Sequence, residues 1–363
     1  MNSRIQNLYS FMERQSLDVL LVTMPKHVYY LTGFYTDPHE RFLGLVLVKG
    51  QDPFLLVPSL DLEKAQQTSS VSTIHAHTDT QNPYAVLKSY LPSSITSFGV
   101  EKSHLTVAGF EALSSHVEAK VWADIEQPLR EMRVIKTPEE IVIMKKAIRI
   151  VEDVLRAGVE KVRVGVTEMD IVAELEYQMR RLGSQGPSFG TLVLAGEKSG
   201  QPHGEPSNSV IKEGELLLLD LGVFADGYAS DITRTFAVGE LNAKNKEMYD
   251  VVLQANLRGI EAVRPDVTFA SIDYAARKSI VDRGYGDYFI TRLGHGLGLE
   301  IHEYPSVHGE NQDKTREGML FTIEPGVYVP GHGGVRIEDD VIVTADGVEV
   351  LTSFPKELTI IGV

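Results

Sequence analysis

The chain has 363 residues, and at roughly 100 to 200 residues per domain that length implies about two domains with ample core. Apolar residues make up 43% and charged residues 23%, which excludes disordered and collagen-like classes; the lack of cysteine excludes disulfides, thiolate metal sites and cysteine nucleophiles. Lys and Arg total 35 against 50 Asp and Glu, a formal charge of −15 that has the wrong sign for a nucleic-acid or anionic-membrane surface.

The opening MNSRIQNLYSFMERQ lacks the apolar stretch of a secretory signal, and no later run reaches the roughly 18 apolar residues of a membrane span. A soluble, cytosolic protein is expected. Between Asp18 and Asp124, DVLLVT, FLGLVLV, PFLLVP, VSTIHA, SFGV and AKVWAD read as strands, with helices near Leu60 to Gln67, Tyr84 to Leu91 and Val107 to His116. This is an α/β domain. It lacks a dense group of His, Asp and Glu, so a structural, substrate-shaping or oligomer-forming role is expected of it.

EQPLREMRVIKTPEE reads as the joint, giving an N-terminal domain over 1–127, a linker over 128–136 and a second domain over 137–363. Thr137 is an N-cap, Pro138 suits the first helical position, and Glu140 completes a capping box. Ile141, Met144, Ile148, Val151 and Leu155 recur at helical spacing, with Gly158 as the stop. A second helix is expected from Thr167 to Leu182, and two more near Lys244 to Val263 and Thr268 to Arg283.

A repeat is superimposed on these elements. KEGELLLLDLGVF at Lys212 to Phe224 returns as REGMLFTIEPGVY at Arg316 to Tyr328, offset by 104 throughout. Asp220 and Glu324 hold the same place in the two apolar strands. A lone Asp in such a strand is ordinarily a satisfied structural residue, because an unpaired buried charge is very costly. Each half, however, supplies a second acid on a returning strand. With Asp226–Gly227 as the turn, Asp220 and Asp231 become near-diagonal neighbours on one face, within about 7 to 8 Å. Glu338 in GGVRIEDDVIV returns after a Gly-rich turn to oppose Glu324. His295, between glycines in RLGHGLGLEIHE, adds a nitrogen ligand. Four carboxylates and one imidazole suit two manganese, cobalt or zinc ions, which lower the pKa of a shared water and supply hydroxide near neutral pH.

These residues resemble the metallopeptidases of the creatinase or "pita-bread" fold, a family that includes methionine aminopeptidase, aminopeptidase P and prolidase. The resemblance covers the whole chain: a creatinase-like α/β domain followed by a pita-bread domain with a pseudo-twofold repeat. LDLG, SDITRTF, GHGLGLEIHE, TIEPGVY and GVRIEDD carry it, and the family's dinuclear ligands fall on Asp220, Asp231, His295, Glu324 and Glu338. The resemblance further implies that His203 and His302 hydrogen-bond the scissile carbonyl or substrate, and that Glu324 moves the proton. It also implies that Thr233 orients Asp231, that Arg336 orients Glu338 or a neighbour, and that Tyr328 and Arg336 line the substrate pocket. Family analogy adds a homodimer and a peptide substrate with proline at its second position.

The implied activity is hydrolysis of the bond before proline, as an Xaa-Pro dipeptidase that uses two divalent ions, manganese foremost. One departure keeps open the alternative of aminopeptidase P, which accepts longer peptides. Prolidases commonly carry Arg in a pattern like HExPR to hold a dipeptide's carboxylate, whereas here HEYPS has Ser306. Arg336, His308, His332 and Arg41 are candidate substitutes. Retention of all five ligands argues against a non-catalytic relative that uses the fold for binding, and equally against a metal-independent amidinohydrolase.

Overall fold

A computed structural model describes residues 2–362. Packing divides the chain between Arg133 and Val134 into two compact units. Among the described residues no helix is long and apolar enough to cross a membrane.

In the first unit all six expected strands form one sheet. Its order from edge to edge is Thr73–His77, Phe54–Pro58, Gly44–Val48, Val19–Val22, Ser97–Val100 and Val121–Asp124. The four inner strands are buried along their whole length, as continuous apolar runs covered on both faces require, while the two edge strands are part-exposed. The expected helices form as Leu62–Thr68, Pro83–Ser89 and Val107–Ser114. Two further helices, Ser3–Gln15 and Pro25–Thr32, add to that set; the first buries Ile5, Leu8 and Met12 along one stripe.

The stretch read as the joint is largely helical, Glu126–Val134. Pro128 is tolerated there because first-turn N–H groups have no partner within a helix. The second unit opens with Pro138–Val159, whose Thr137 and Glu140 form the capping box. Gly158 does not stop this helix. It lies buried inside it, and a Cβ there would collide with Leu175 of the neighbouring helix Glu168–Arg181. The glycine is required by close packing of the two helices rather than by chain termination. Gly158→Ala should therefore destabilise by about 1 kcal/mol, overpacking outweighing the gain in helix propensity, and a lowered melting temperature would register it.

Paired helices precede each sheet as the repeat implies, the second pair being Ala243–Glu261 and Phe269–Val281. One four-stranded sheet runs Ile360–Ile361, Ile232–Val238, Leu216–Leu221, Leu192–Ala195. A five-stranded sheet runs Glu303–Val307, Gly294–Gly296, Leu320–Ile323, Asp339–Val343, Val348–Val350. The hairpin of Gly326–Val329 with Gly333–Arg336 completes the second half.

Candidate metal centre

Strand register brings the acids together. Asp226 and Gly227 take positive φ values of 47° and 80° and close a two-residue turn between Ala225 and Tyr228. The same register continues through Leu216–Leu221 and Ile232–Val238, where Thr233 lies opposite Asp220. Asp231, two residues before Thr233, is thus the diagonal neighbour of Asp220. In the second half Ile323 pairs with Asp339 and Gly326 with Arg336, so Glu324 faces Glu338 between them. His295 enters on Gly294–Gly296, where a Cβ on Gly294 would meet the Thr322 carbonyl and one on Gly296 the Tyr304 carbonyl. Only glycines allow that strand to sit so close to both neighbours.

Asp220, Asp231, His295, Glu324 and Glu338 line one cavity of about 570 Å³, together with His203, His302, Tyr328 and Arg336. Ligand atoms of Asp231, His295 and Glu338 all lie within 4.8 Å of one another. His295 Nε2 is 3.2 Å from Glu324 Oε1 and 3.6 Å from Asp231 Oδ2. Burial and the charges of Glu338 and Asp220 raise the pKa of Asp231 far above the usual carboxylate range, and burial with Glu324 and Asp220 does the same to Glu338. Asp220 is also raised by burial, despite the neighbouring Arg336, whereas in Glu324 burial is outweighed by His295 and the pKa falls. Asp220 Oδ1, Asp231 Oδ1 and Glu338 Oε1 are buried without a hydrogen-bond partner. Such atoms are costly unless a cation satisfies them, so hard-oxygen and imidazole donors of this kind fit divalent metal ions.

The supporting contacts depart from expectation at Thr233, whereas Arg336 takes the expected alternative of neighbouring polar groups. Thr233 Oγ1 donates to Glu338 Oε2 at 2.7 Å rather than to Asp231, because its strand position faces the opposite hairpin. Arg336 bonds Asp220 through Nη2, Thr233 Oγ1 through Nε at 3.1 Å and the Tyr328 hydroxyl through Nη1 at 2.8 Å. It reaches Glu338 only by way of Thr233. Of the other cations considered, His308 and His332 do not line the cavity, and Arg41 pairs with Asp79 in the first unit.

Other supports are not evident from sequence. Arg234, 1% exposed, uses all five N–H groups: Nε to Pro355 O, Nη1 to the carbonyls of Thr233 and Glu338, Nη2 to Asp339 Oδ1 and Phe354 O. Asn256 donates to the carbonyls of Ile323 and Ile337, the residues just before Glu324 and Glu338. Lys356 bonds both Asn256 Oδ1 and Asp339 Oδ2.

His203 sits on a loop pinned at both ends by Glu168. This fully buried carboxylate accepts from Ala195 N at 2.9 Å, Ser207 N at 2.9 Å and the Lys198 ammonium. With His203 in the substrate-contacting role that the resemblance implies, Glu168→Gln should lower kcat about tenfold, the low end for residues that orient active groups, with little change in KM. Stopped-assay kinetics beside a melting curve of the variant check it. His302 packs edge-on against His295 with ring centroids 4.1 Å apart, and burial with the charges of His295 and Arg292 lowers its pKa to about 4.

A profile of metallopeptidase family M24 matches residues 142–345, and one of the Creatinase/Prolidase N-terminal domain matches residues 4–135. The chain belongs to metallopeptidase family M24. YkvY of Bacillus subtilis (strain 168), whose name assigns it provisionally to the dipeptidases, is 42% identical over 362 residues, covering 99% of this chain and 100% of that protein. The crystal structure of the prolidase from Pyrococcus horikoshii OT3 superposes with a TM-score of 0.92 at 36% identity, covering 98% of this chain and 100% of the other. For the Xaa-Pro dipeptidase from Bacillus anthracis the TM-score is 0.93 at 35% identity, with 99% of each chain covered. This M24 chain is therefore a peptidase of creatinase-like and pita-bread architecture, in a family of metal-dependent enzymes.

Proposed function

We propose that this M24 peptidase hydrolyses the peptide bond before proline as an Xaa-Pro dipeptidase, with residues 137–363 as its catalytic part. The observation that carries this reading is the convergence of Asp220, Asp231, His295, Glu324 and Glu338 on one cavity beside His203 and His302. These five residues would hold two divalent ions, manganese foremost, and His203, His302 and Glu324 would be the catalytic residues. Such ions would acidify water and polarise the scissile carbonyl near neutral pH.

The side chains supply the remaining steps. The Glu324 carboxylate takes a proton from the attacking water and delivers it to the departing proline nitrogen. His302, neutral at pH 7 because its pKa is about 4, donates an N–H to the developing oxyanion without adding positive charge, and His203 donates alongside it. Phe189, Leu192, Ile290 and Ile301 give the cavity apolar walls suited to a proline ring, with Tyr328 and Arg336 beside them. The tertiary amide offers no N–H, so shape discriminates where hydrogen bonding does not.

Protein stripped of metal and reloaded with manganese should cleave an Xaa-Pro dipeptide; failure on every Xaa-Pro dipeptide and longer peptide would refute this reading. Ser306 favours a second reading, aminopeptidase P, in which longer Xaa-Pro peptides are turned over in preference. Comparing a dipeptide with a tripeptide of the same Xaa-Pro bond separates them. The same reading makes the enzyme a cytosolic homodimer, and sedimentation of the loaded protein tests its assembly state.

A further inference from the structure

Two permanent cations line the cavity, Arg292 and Arg336. Arg336 is engaged: its Nη2, Nε and Nη1 bond Asp220, Thr233 and Tyr328, and Asp220 shares its charge. Arg292 differs. Among the described residues no carboxylate lies within ion-pair distance of it, and its one polar contact is a long one, Nη1 to Ser306 Oγ at 3.4 Å. Beside it Thr291 Oγ1, also on the cavity wall, is buried without a hydrogen-bond partner. The Arg292 charge is felt at both His302 and Glu324, so it lies within electrostatic reach of the reacting groups.

A half-buried guanidinium with free donors, next to an unsatisfied hydroxyl, is built to accept an anion, and a planar fork matches a carboxylate in two-point fashion. Metal ligands account for the cavity's own carboxylates, so the complementary anion comes with the substrate. We propose that Arg292, assisted by Thr291 and Ser306, forms an anion subsite that takes a carboxylate of the bound peptide. This rests on the Xaa-Pro reading for the identity of the peptide. A peptide offers two such carboxylates: the free terminus of a dipeptide, or an acidic side chain on the residue before proline. If the terminus is bound, Arg292 makes the enzyme a dipeptidase despite Ser306.

The test uses manganese-loaded full-length protein and three probes: Leu-Pro, Leu-Pro amide and Glu-Pro. Wild type is compared with Arg292→Met, which keeps length and loses charge, and with Arg292→Met carrying Ser306→Arg, which returns a guanidinium from the adjoining position. In Arg292→Met the preference for Leu-Pro over its amide should collapse about tenfold or more through KM, and the second substitution should restore part of it. If the loss is instead confined to Glu-Pro, the side-chain carboxylate is the one held. Equal losses on all three probes, or none, would overturn the subsite. Calorimetric binding of the same probes gives the same comparison if wild type cleaves none of them, an outcome that counts against the Xaa-Pro reading alone. Unchanged melting curves separate either result from misfolding.

Discussion

Asp231→Asn is expected to lower kcat/KM about a thousandfold or more, since a misplaced or missing ion forfeits several kcal/mol of transition-state stabilisation. On the proposed two-ion reading, bound metal measured by elemental analysis should fall from two ions per chain toward one. A second readout has the opposite sign. In wild type freed of metal, burial and the charges of Glu338 and Asp220 disfavour the Asp231 carboxylate. A neutral amide removes that repulsion, so after chelation the variant should melt at a higher temperature than wild type. Full activity in the variant would refute the role of Asp231, and a lower melting temperature would refute the electrostatic account.

The other large effect is on stability. Arg234→Met removes a guanidinium whose five donors satisfy four carbonyl oxygens and the Asp339 carboxylate. Burial alone would raise the pKa of Asp339; Arg234 and Lys356 reverse this and keep it low. Taking away one member of a buried, fully bonded charge group typically costs about 3 to 5 kcal/mol, because the remaining charge and acceptors lose their partners. A fall in melting temperature of about 10 °C is expected. Arg234 also grips the carbonyls of Thr233 and Glu338, so kcat should drop even at temperatures where the variant stays folded. A variant as stable and as active as wild type would show that the network is dispensable.

Local signals in the sequence carry much of this. The offset of 104 between LDLG and IEPG, with the Asp226–Gly227 turn, is enough to work out which acids face one another, because one turn sets the register of a whole hairpin. The capping box at Thr137 marks its helix for the same reason: all of its groups lie within four residues. Where partners come from far along the chain, sequence is silent. Nothing local marks Arg234, since all its acceptors except the Thr233 carbonyl lie more than 100 positions away. The hydroxyl of Thr233 has Asp231 within sequence reach, and only the approach of the second hairpin, 105 positions away, selects Glu338. The helix Ser3–Gln15 is absent from the expected set although Ile5, Leu8 and Met12 have helical spacing. Arg292 carries no local signal, because its significance depends on the cavity rather than on its neighbours in RLGHG.

The segment from Thr352 to Lys356 has no regular structure, yet Thr352, Phe354, Pro355 and Lys356 all bond Asp339 or Arg234, and Glu152 accepts from Ser353 and Phe354. It works as a bolt that ties the strands Ile232–Val238 and Asp339–Val343, which begin next to Asp231 and Glu338, to Glu152 of the helix Pro138–Val159. A protease cut just ahead of Thr352 would leave every proposed ligand and both histidines covalently in place, and is expected to disarm the enzyme all the same. Limited digestion should therefore extinguish turnover in step with release of this tail, well before any cut reaches the pocket.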